Sequence, residues 1–409
     1  MKKNMNFLSR LCVILLLFPA VMMLSSCGGG GSGSGSGGTG ELSLDLTDAT
    51  TLDYEAVYVT IDRVDVHLGD DEADPNNWKT VAEPYKTYNL LELVNGVREH
   101  LGLAELQAGN YTQMRLIIGS TPDEGLNLFS QPHPFANYVV LKDNYVVLMD
   151  TDKIHELMVP SGPQTGIKLV HGFTIKENQT TELILDFDAN RSVVKAGDSG
   201  IWLLKPTINV VDTKNYAIVS GTVENDMGAG IEGAMVSAQI YYDPDEEINE
   251  FLDLKDQVVV WTSTVTDESG EYKLFLEPGT YNIVAYAQGY QPHVLCPVNV
   301  VSGEVTEGND FSLDVAAPGT ISGEVSIQGA EPEQHATISF RQSVVCDGIE
   351  TRFEVISVNI SDGGDYSVIL SVGEYEVVAS SYQKKTVLHN VTVSDGLVVT
   401  QNILLENEE

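Results

Sequence analysis

Basic residues are scarce in this chain. Its 22 Lys and Arg stand against 59 Asp and Glu, a formal charge of −37 at pH 7. Nucleic-acid binding needs Lys and Arg facing phosphates and is not expected. Docking of a folded body on anionic headgroups is disfavoured for the same reason. Histidine is thin too: eight residues, scattered singly with no pair at ligand spacing, speak against structural zinc. His155-Glu156 opens like a zincin helix, but Val159 stands where the second histidine belongs. There is no Gly-x-Ser-x-Gly elbow. No stretch repeats strand, helix, strand, so a doubly wound sheet is not expected. With 43% hydrophobic residues, the acidity reads as a charged surface on a folded protein rather than as disorder.

The N-terminus holds a membrane signal. Lys2, Lys3 and Arg10 surround the start of an apolar run, residues 11–23. The run has signal-peptide length and falls short of the roughly 20 residues a spanning helix wants. Leu24-Ser25-Ser26-Cys27 closes it and resembles a bacterial lipobox. That resemblance implies cleavage before Cys27 and three acyl chains on its thiol and new amine, an effectively permanent anchor. Gly28 stands where an inner-membrane retention aspartate would be expected in some bacteria, which leans toward the outer membrane. Residues 28–40 are almost pure Gly and Ser, a flexible coil with a reach of about 20 Å. Gly33-x-Gly35-x-x-Gly38 within it is an accident of composition.

The body alternates polar and apolar residues with frequent turns, the pattern of strands. Val57, Val59 and Ile61 fall on one face and Val64, Val66 and Leu68 on the other parity, which predicts a bulge between Ile61 and Val64. Further strands are expected at 115–118, 138–141, 145–149, 166–171, 181–188 and 202–211. Residues 90–106 have helical spacing and predict one or two short helical turns. Leu46-Thr47-Asp48-Ala49, residues 57–67, 90–96, 108–116 and 159–166, Leu185 to Val194, and Leu204-Lys205-Pro206-Thr207-Ile208 together resemble the bacterial lipoprotein family of domain of unknown function 4382. That family has no activity to carry across.

From Ile218 the chain repeats itself. Ile218-Val219-Ser220-Gly221-Thr222-Val223 recurs as Thr320-Ile321-Ser322-Gly323-Glu324-Val325, Gly270-Glu271-Tyr272 as Gly364-Asp365-Tyr366, and Gly279-Thr280-Tyr281 as Gly373-Glu374-Tyr375. Tyr272, Leu274 and Leu276 match Tyr366, Val368 and Leu370; Tyr281, Ile283 and Ala285 match Tyr375, Val377 and Ala379. Alternate residues mean one buried strand face in each copy. The glycine ahead of each second tyrosine is expected to supply a turn with φ near or above zero. An acidic insertion around residues 243–256 lengthens the first copy. Gly221-Thr222-Val223, Gly233-Ala234-Met235-Val236, Thr266 to Tyr272 and Pro278 to Tyr281 resemble a carboxypeptidase regulatory-like domain. The resemblance implies a sandwich of the transthyretin type that accompanies catalytic domains without being one. The second copy has Val372 for the proline and lacks the Gly-Ala-x-Val step.

The expected organisation is all-β. A signal peptide (1–26) and a lipidated cysteine with its linker (27–40) precede a β domain (41–213) and two transthyretin/Ig-like sandwiches (216–315 and 318–407). Cys12 leaves with the signal. Cys296 and Cys346 lie in different modules and are expected as two separate buried thiols rather than as a bonded pair.

Few residues offer chemistry. Gly228-Ala229-Gly230-Ile231-Glu232-Gly233 has the letters of a dinucleotide loop, but another strand follows it where a helix is needed, so it reads as a turn. Asp186 and Asp188 share the outer face of one strand with Arg191 just beyond; paired carboxylates suit acid–base work, but a turn held by Asp188 and Arg191 is the plainer reading. Asp70, Asp71, Asp74 and Asn76 crowd one loop, and Asp243, Asp245, Glu246 and Glu247 another. Calcium takes hard oxygens, yet neither run carries the EF-hand glycine or distal glutamate, and both read as solvated acidic loops. Trp78, Trp202, Trp261 and the 17 tyrosines have the rings to stack on sugars, while in a sandwich most are expected in the core.

No metal site, cofactor or catalytic residue is therefore assigned; Cys27 is the one site residue, for lipid attachment. The expected protein is non-enzymatic and lipid-anchored in a bacterial envelope, binding or presenting a glycan, a peptide or an envelope partner. A structural spacer is the alternative, and a hydrolase resting on Asp186 and Asp188 the third reading.

Overall fold

A computed structural model describes residues 38–49, 54–69, 77–142, 153–160, 166–169, 171–196, 200–214, 216–244, 249, 252–331 and 334–408. Cys27, the expected signal peptide and most of the expected linker lie outside them. So do Asp70, Asp71, Asp74, Asn76, Asp245, Glu246, Glu247 and the strand expected at 145–149. Residues 38–409 form one compact unit.

The first domain is two sheets closed over one core. One sheet has four strands in the order Ile208–Asp212, Thr180–Asp188, Thr39–Ala49, Glu99–Gln107, with Thr39–Ala49 and Thr180–Asp188 parallel. The other is built on Tyr54–Leu68, which pairs with Gly109–Ile118, Tyr138–Leu141, Trp78–Ala82 and Lys86–Asn89. Leu42, Leu44 and Leu46 from the first sheet meet Val57, Val59, Ile61, Val64 and Val66 from the second, all fully buried. The register slips between Ile61 and Arg63, as the change of parity predicts, so both apolar sets reach the same core.

One expectation holds in part and one fails here. Within 90–106 only Leu90–Glu92 turns, as a 3-10 segment; Glu99–Gln107 is a strand, because its backbone groups pair with the edge of Thr39–Ala49. The single strand expected at 202–211 is two. Pro206 removes a donor between Ile201–Leu204 and Ile208–Asp212, and the halves join different sheets.

Both repeats fold alike. In the first, Glu271–Leu276 pairs with Ala217–Asn225, facing a sheet of Val258–Val265, Met235–Tyr241, Gly279–Tyr286 and His293–Val300. In the second, Asp365–Ser371 pairs with Pro318–Ile327, facing Ile349–Ser361, His335–Cys346, Gly373–Ser380 and Val387–Val393. The alternating residues of both copies are buried as the pattern requires. Tyr272 Oη donates to Asn309 O, and Tyr366 Oη to Gln401 O, at matching places. Gly228–Gly233 is a turn between strands, with φ of 73° and 71° at its two ends.

The glycines ahead of the second tyrosines correct one expectation. Gly279 has no positive φ and Gly373 lies at 157°, near extended backbone; a Cβ on Gly279 would instead press on the Tyr281 ring at 3.2 Å. Gly221 and Gly323 are the exacting pair. A Cβ there would overlap the carbonyl oxygens of Asn309 and Gln401 on the crossing chain. Gly323→Ala is expected to lower the stability of its module by about 2 kcal/mol, read by denaturant titration.

The described end of the insertion makes contacts with the second repeat. In the second repeat a tight turn at Asp347-Gly348 joins the two long strands; in the first, residues 242–257 take its place. The described end of this segment, Leu254–Asp256, is not a free acidic loop. Arg341 of the second repeat donates Nη1 to Leu254 O at 2.7 Å and Nη2 to Lys255 O at 3.1 Å.

Candidate functional site

The functional question centres on a buried polar seam where the three modules meet. Leu183, Leu185 and Phe187 face the first core, so alternation turns Ile184, Asp186 and Asp188 outward. The second module's Val258–Val265 lies over that face. Asp186 is left 6% exposed, and Thr262 Oγ1 donates to its Oδ2 at 2.7 Å. Beside it Asn95, at φ 56°, donates its N–H to Thr264 Oγ1 at 2.8 Å and its Nδ2 to Glu271 O at 3.0 Å. The Arg98 guanidinium stacks 4.2 Å from the Phe275 ring centre.

Asp188 caps the short helix Ala189–Ser192 by accepting Arg191 N at 2.9 Å, while Asp48 accepts Ala189 N at 3.0 Å. Arg191 then reaches across both interfaces. It sits 3.7 Å from Asp188 and 3.6 Å from Glu354 of the third module, and donates to Val260 O of the second at 3.1 Å. Gln239 and Glu354 close the seam: Gln239 Nε2 donates to Glu354 O at 2.7 Å, and Glu354 N donates to Gln239 Oε1 at 2.8 Å. A single parallel pairing, Lys195 with Ile360, runs the first domain's second sheet into the third module's sheet, making one of fourteen strands.

The electrostatics follow from burial. Asp186 is pushed up to about 7 by desolvation, against the pull of the Thr262 hydroxyl. Asp48 is raised by burial and then by the charges of Asp188 and Asp186; Asp188 is raised by burial against the opposing pull of Arg191. Two spaces of about 20 Å³ each flank this seam, one beside Asp186, Thr262 and Asn95, the other between Arg191, Gln239 and Glu354. Each has room for one water. The Asp188–Arg191 turn is present as read, and Asp186 serves as an interface acceptor with a space for about one water beside it.

The other candidates are placed as follows. His155-Glu156 lies in the strand Ile154–Met158, with the His155 ring stacked on Trp202. Trp202 is in the core, Trp78 is covered by Arg115 at 3.8 Å, and Trp261 packs on the second module's core. Among the described residues no group of three His, Cys, Asp or Glu forms a metal site. None of their helices is long and apolar enough to cross a membrane.

Cys296 and Cys346 overturn the expectation of separate thiols: they form a disulfide, Cα atoms 5.7 Å apart, between the second and third modules. Position in different modules does not keep the two cysteines apart. The modules in fact pack face to face, with Val284 and Tyr286 of one in the core of the other. Asp48, Asn95, Gln239, Glu354 and Arg341 were not singled out either. One signal could have found the first two: three of the segments that carry the family resemblance, Thr47-Asp48, Asn95-Gly96 and Asp186 to Arg191, converge on this seam.

Fold and seam define a multi-domain β-sandwich protein whose modules are fixed to one another. Within it, residues 39–206 match the family described as Domain of unknown function (DUF4382), and residues 218–316 match the Carboxypeptidase regulatory-like domain. No curated protein matches the chain. Similar solved structures include the Bacillus anthracis TIE protein, at 13% identity and TM-score 0.19 over 90% of this chain and 51% of that one. A leucine-rich repeat protein from Bacteroides thetaiotaomicron has 15% identity and TM-score 0.24 over 48% of this chain and 27% of that one. A Streptococcal ancillary pilin has 12% identity and TM-score 0.19 over 90% of this chain and 99% of that one. The chain thus spans about half and about a quarter of the first two. Likeness at this level carries no argument about function.

Proposed function

We propose that this chain is a lipid-anchored, non-catalytic structural component of a bacterial envelope, one that holds a single rigid body outward from the outer membrane on a flexible tether. The observation that carries the reading is the Cys296–Cys346 bond between modules. A spacer or presenting body must transmit position, and two sandwiches cross-linked to each other cannot swing freely. The part-buried Arg191 contacts extend that stiffness to the first domain, and the buried Gln239–Glu354 pair adds to it between the sandwiches. A disulfide also suits an oxidising, extracytoplasmic compartment. The acidic surface keeps such a body soluble and off anionic headgroups. Attachment would run through acyl chains on Cys27, followed by the Gly/Ser coil.

The test is metabolic labelling with palmitate together with Cys27→Ser. Label is expected in the parent chain only, and the variant should leave the membrane fraction. An unlabelled parent whose fractionation is unchanged by the substitution would refute the anchor.

A further inference from the structure

The second module grips the third with the outer face of its larger sheet. Val284 and Tyr286 enter the third module's core, Met235 and Val294 pack against it, and Gln239 holds the Glu354 backbone. The repeat carries this face a second time. In the second module Ser237 lies opposite Val284, and Val284 opposite Val294. In the third, Ser339 lies opposite Val378, and Val378 opposite Leu388. Arg341 stands in the place of Gln239, and Thr337 and Ser380 in those of Met235 and Tyr286. In a stack of modules this second face would be the unsatisfied end. It is covered from within the chain. Leu254–Asp256, from the second module's insertion, lies against Gly373–Ser380, and Arg341 donates to the carbonyls of Leu254 and Lys255. Arg341 and Val378 are each 3% exposed, while Leu388 at the margin is 38% exposed.

We propose that the insertion is a cap: it occupies, on the third module, the face by which the second module holds its neighbour, and so keeps a second copy of the chain from docking there. The face is of a kind already shown to bind a sandwich, since its counterpart does so within the same chain. The occupant follows from which surfaces are in use. The Glu354 backbone, which Gln239 grips, is taken in every copy. Its counterpart strand in the second module, Val258–Val265, lies against the first domain. The counterpart left in another copy is the same face, so the excluded contact is a two-fold one. Arg341 has Glu376 opposite it on the adjoining strand, so the face is not of one sign. The inference does not depend on the lipid anchor.

The test shortens the insertion in the full chain. Tyr242 N donates to Gln257 O at 2.8 Å, so Asp-Gly, the turn of the second repeat, can replace residues 243–256 and close a two-residue hairpin. Sedimentation in mild detergent, at about 50 μM protein and about 0.15 M salt, should find the parent monomeric and the shortened chain at twice its mass. Val378→Glu in the shortened chain should restore the monomer. Leu126→Glu, at an exposed position of the first domain, should not. A folded shortened chain that stays monomeric, a dimer that Val378→Glu leaves intact, or a parent that associates equally would overturn the cap. Where the shortened chain does not fold, Arg341→Gln decides, since it gives the third module the second module's residue. Loss of the Arg341 donors should speed hydrogen exchange across residues 252–257 about tenfold and let dimer appear. Unchanged exchange would overturn the cap, and faster exchange without dimer would overturn the second copy as its occupant.

Discussion

Replacing Cys296 and Cys346 together by serine is expected to lower stability by about 4 kcal/mol, seen as a fall of about 10 °C in the melting of the two sandwiches. The size follows from the 50-residue separation: the bond removes closure entropy from the unfolded chain, and that entropy grows with the logarithm of the loop. Reductant should produce the same fall in the parent chain and none in the double variant. Reduction should leave the two modules packed through Val284 and Tyr286 but easier to separate, because the bond joins them and staples neither internally. Scanning calorimetry with and without reductant, paired with non-reducing mass spectrometry, checks both points. A transition indifferent to reductant would mean that packing of Val284 and Tyr286 against the third module suffices on its own.

Acid should tighten the seam and alkali loosen it. Asp186 is held at about 7 in the fold, against about 3.9 in an unfolded chain. A raised folded value favours the protonated native state. The stability it contributes is fully present below about pH 4 and is lost as pH rises through 7. The difference of about three units corresponds to about 4 kcal/mol between the two limits. Asp48 and Asp188 are raised as well and act in the same sense. Asp253 and Asp267 are lowered and oppose it at low pH, but they are present in any comparison of variants. Asp186→Asn keeps an acceptor for Thr262 without a charge. It is expected to stabilise the unit at pH 8, to do little at pH 4, and to flatten the slope between. Denaturant titration across that range reads the result, and a variant with the parent's slope would show that Asp186 does not carry the effect.

The first effect arises at two cysteines that the sequence keeps in separate modules, the second at a pair whose turn is legible but whose interface is not. Asp186 and Asp188 were visible as a pair on the outer face of a strand, because alternation with Leu183, Leu185 and Phe187 is a local fact. That the outer face is itself an interface is not local. It depends on Thr262 and Val260, 76 and 69 residues from Asp186 and Arg191, arriving at the right height. Arg341 shows the same limit. Its counterpart in the first repeat is Gln239, and nothing in the repeat says that one will bind an insertion while the other binds the backbone of Glu354.

By itself the sequence determined the all-β class, the bulge after Ile61, the tandem repeat and the buried tyrosine–leucine faces within it. Period-two alternation and turn glycines act within a few residues, so they can be read in order along the chain. The tertiary structure alone decided that Glu99–Gln107 is a strand, that Pro206 divides one strand between two sheets, that Cys296 finds Cys346, and that three carboxylates are buried where the modules meet. Each of those depends on which surfaces come together. That is settled by the fit and desolvation of whole faces, not by any neighbour in the chain.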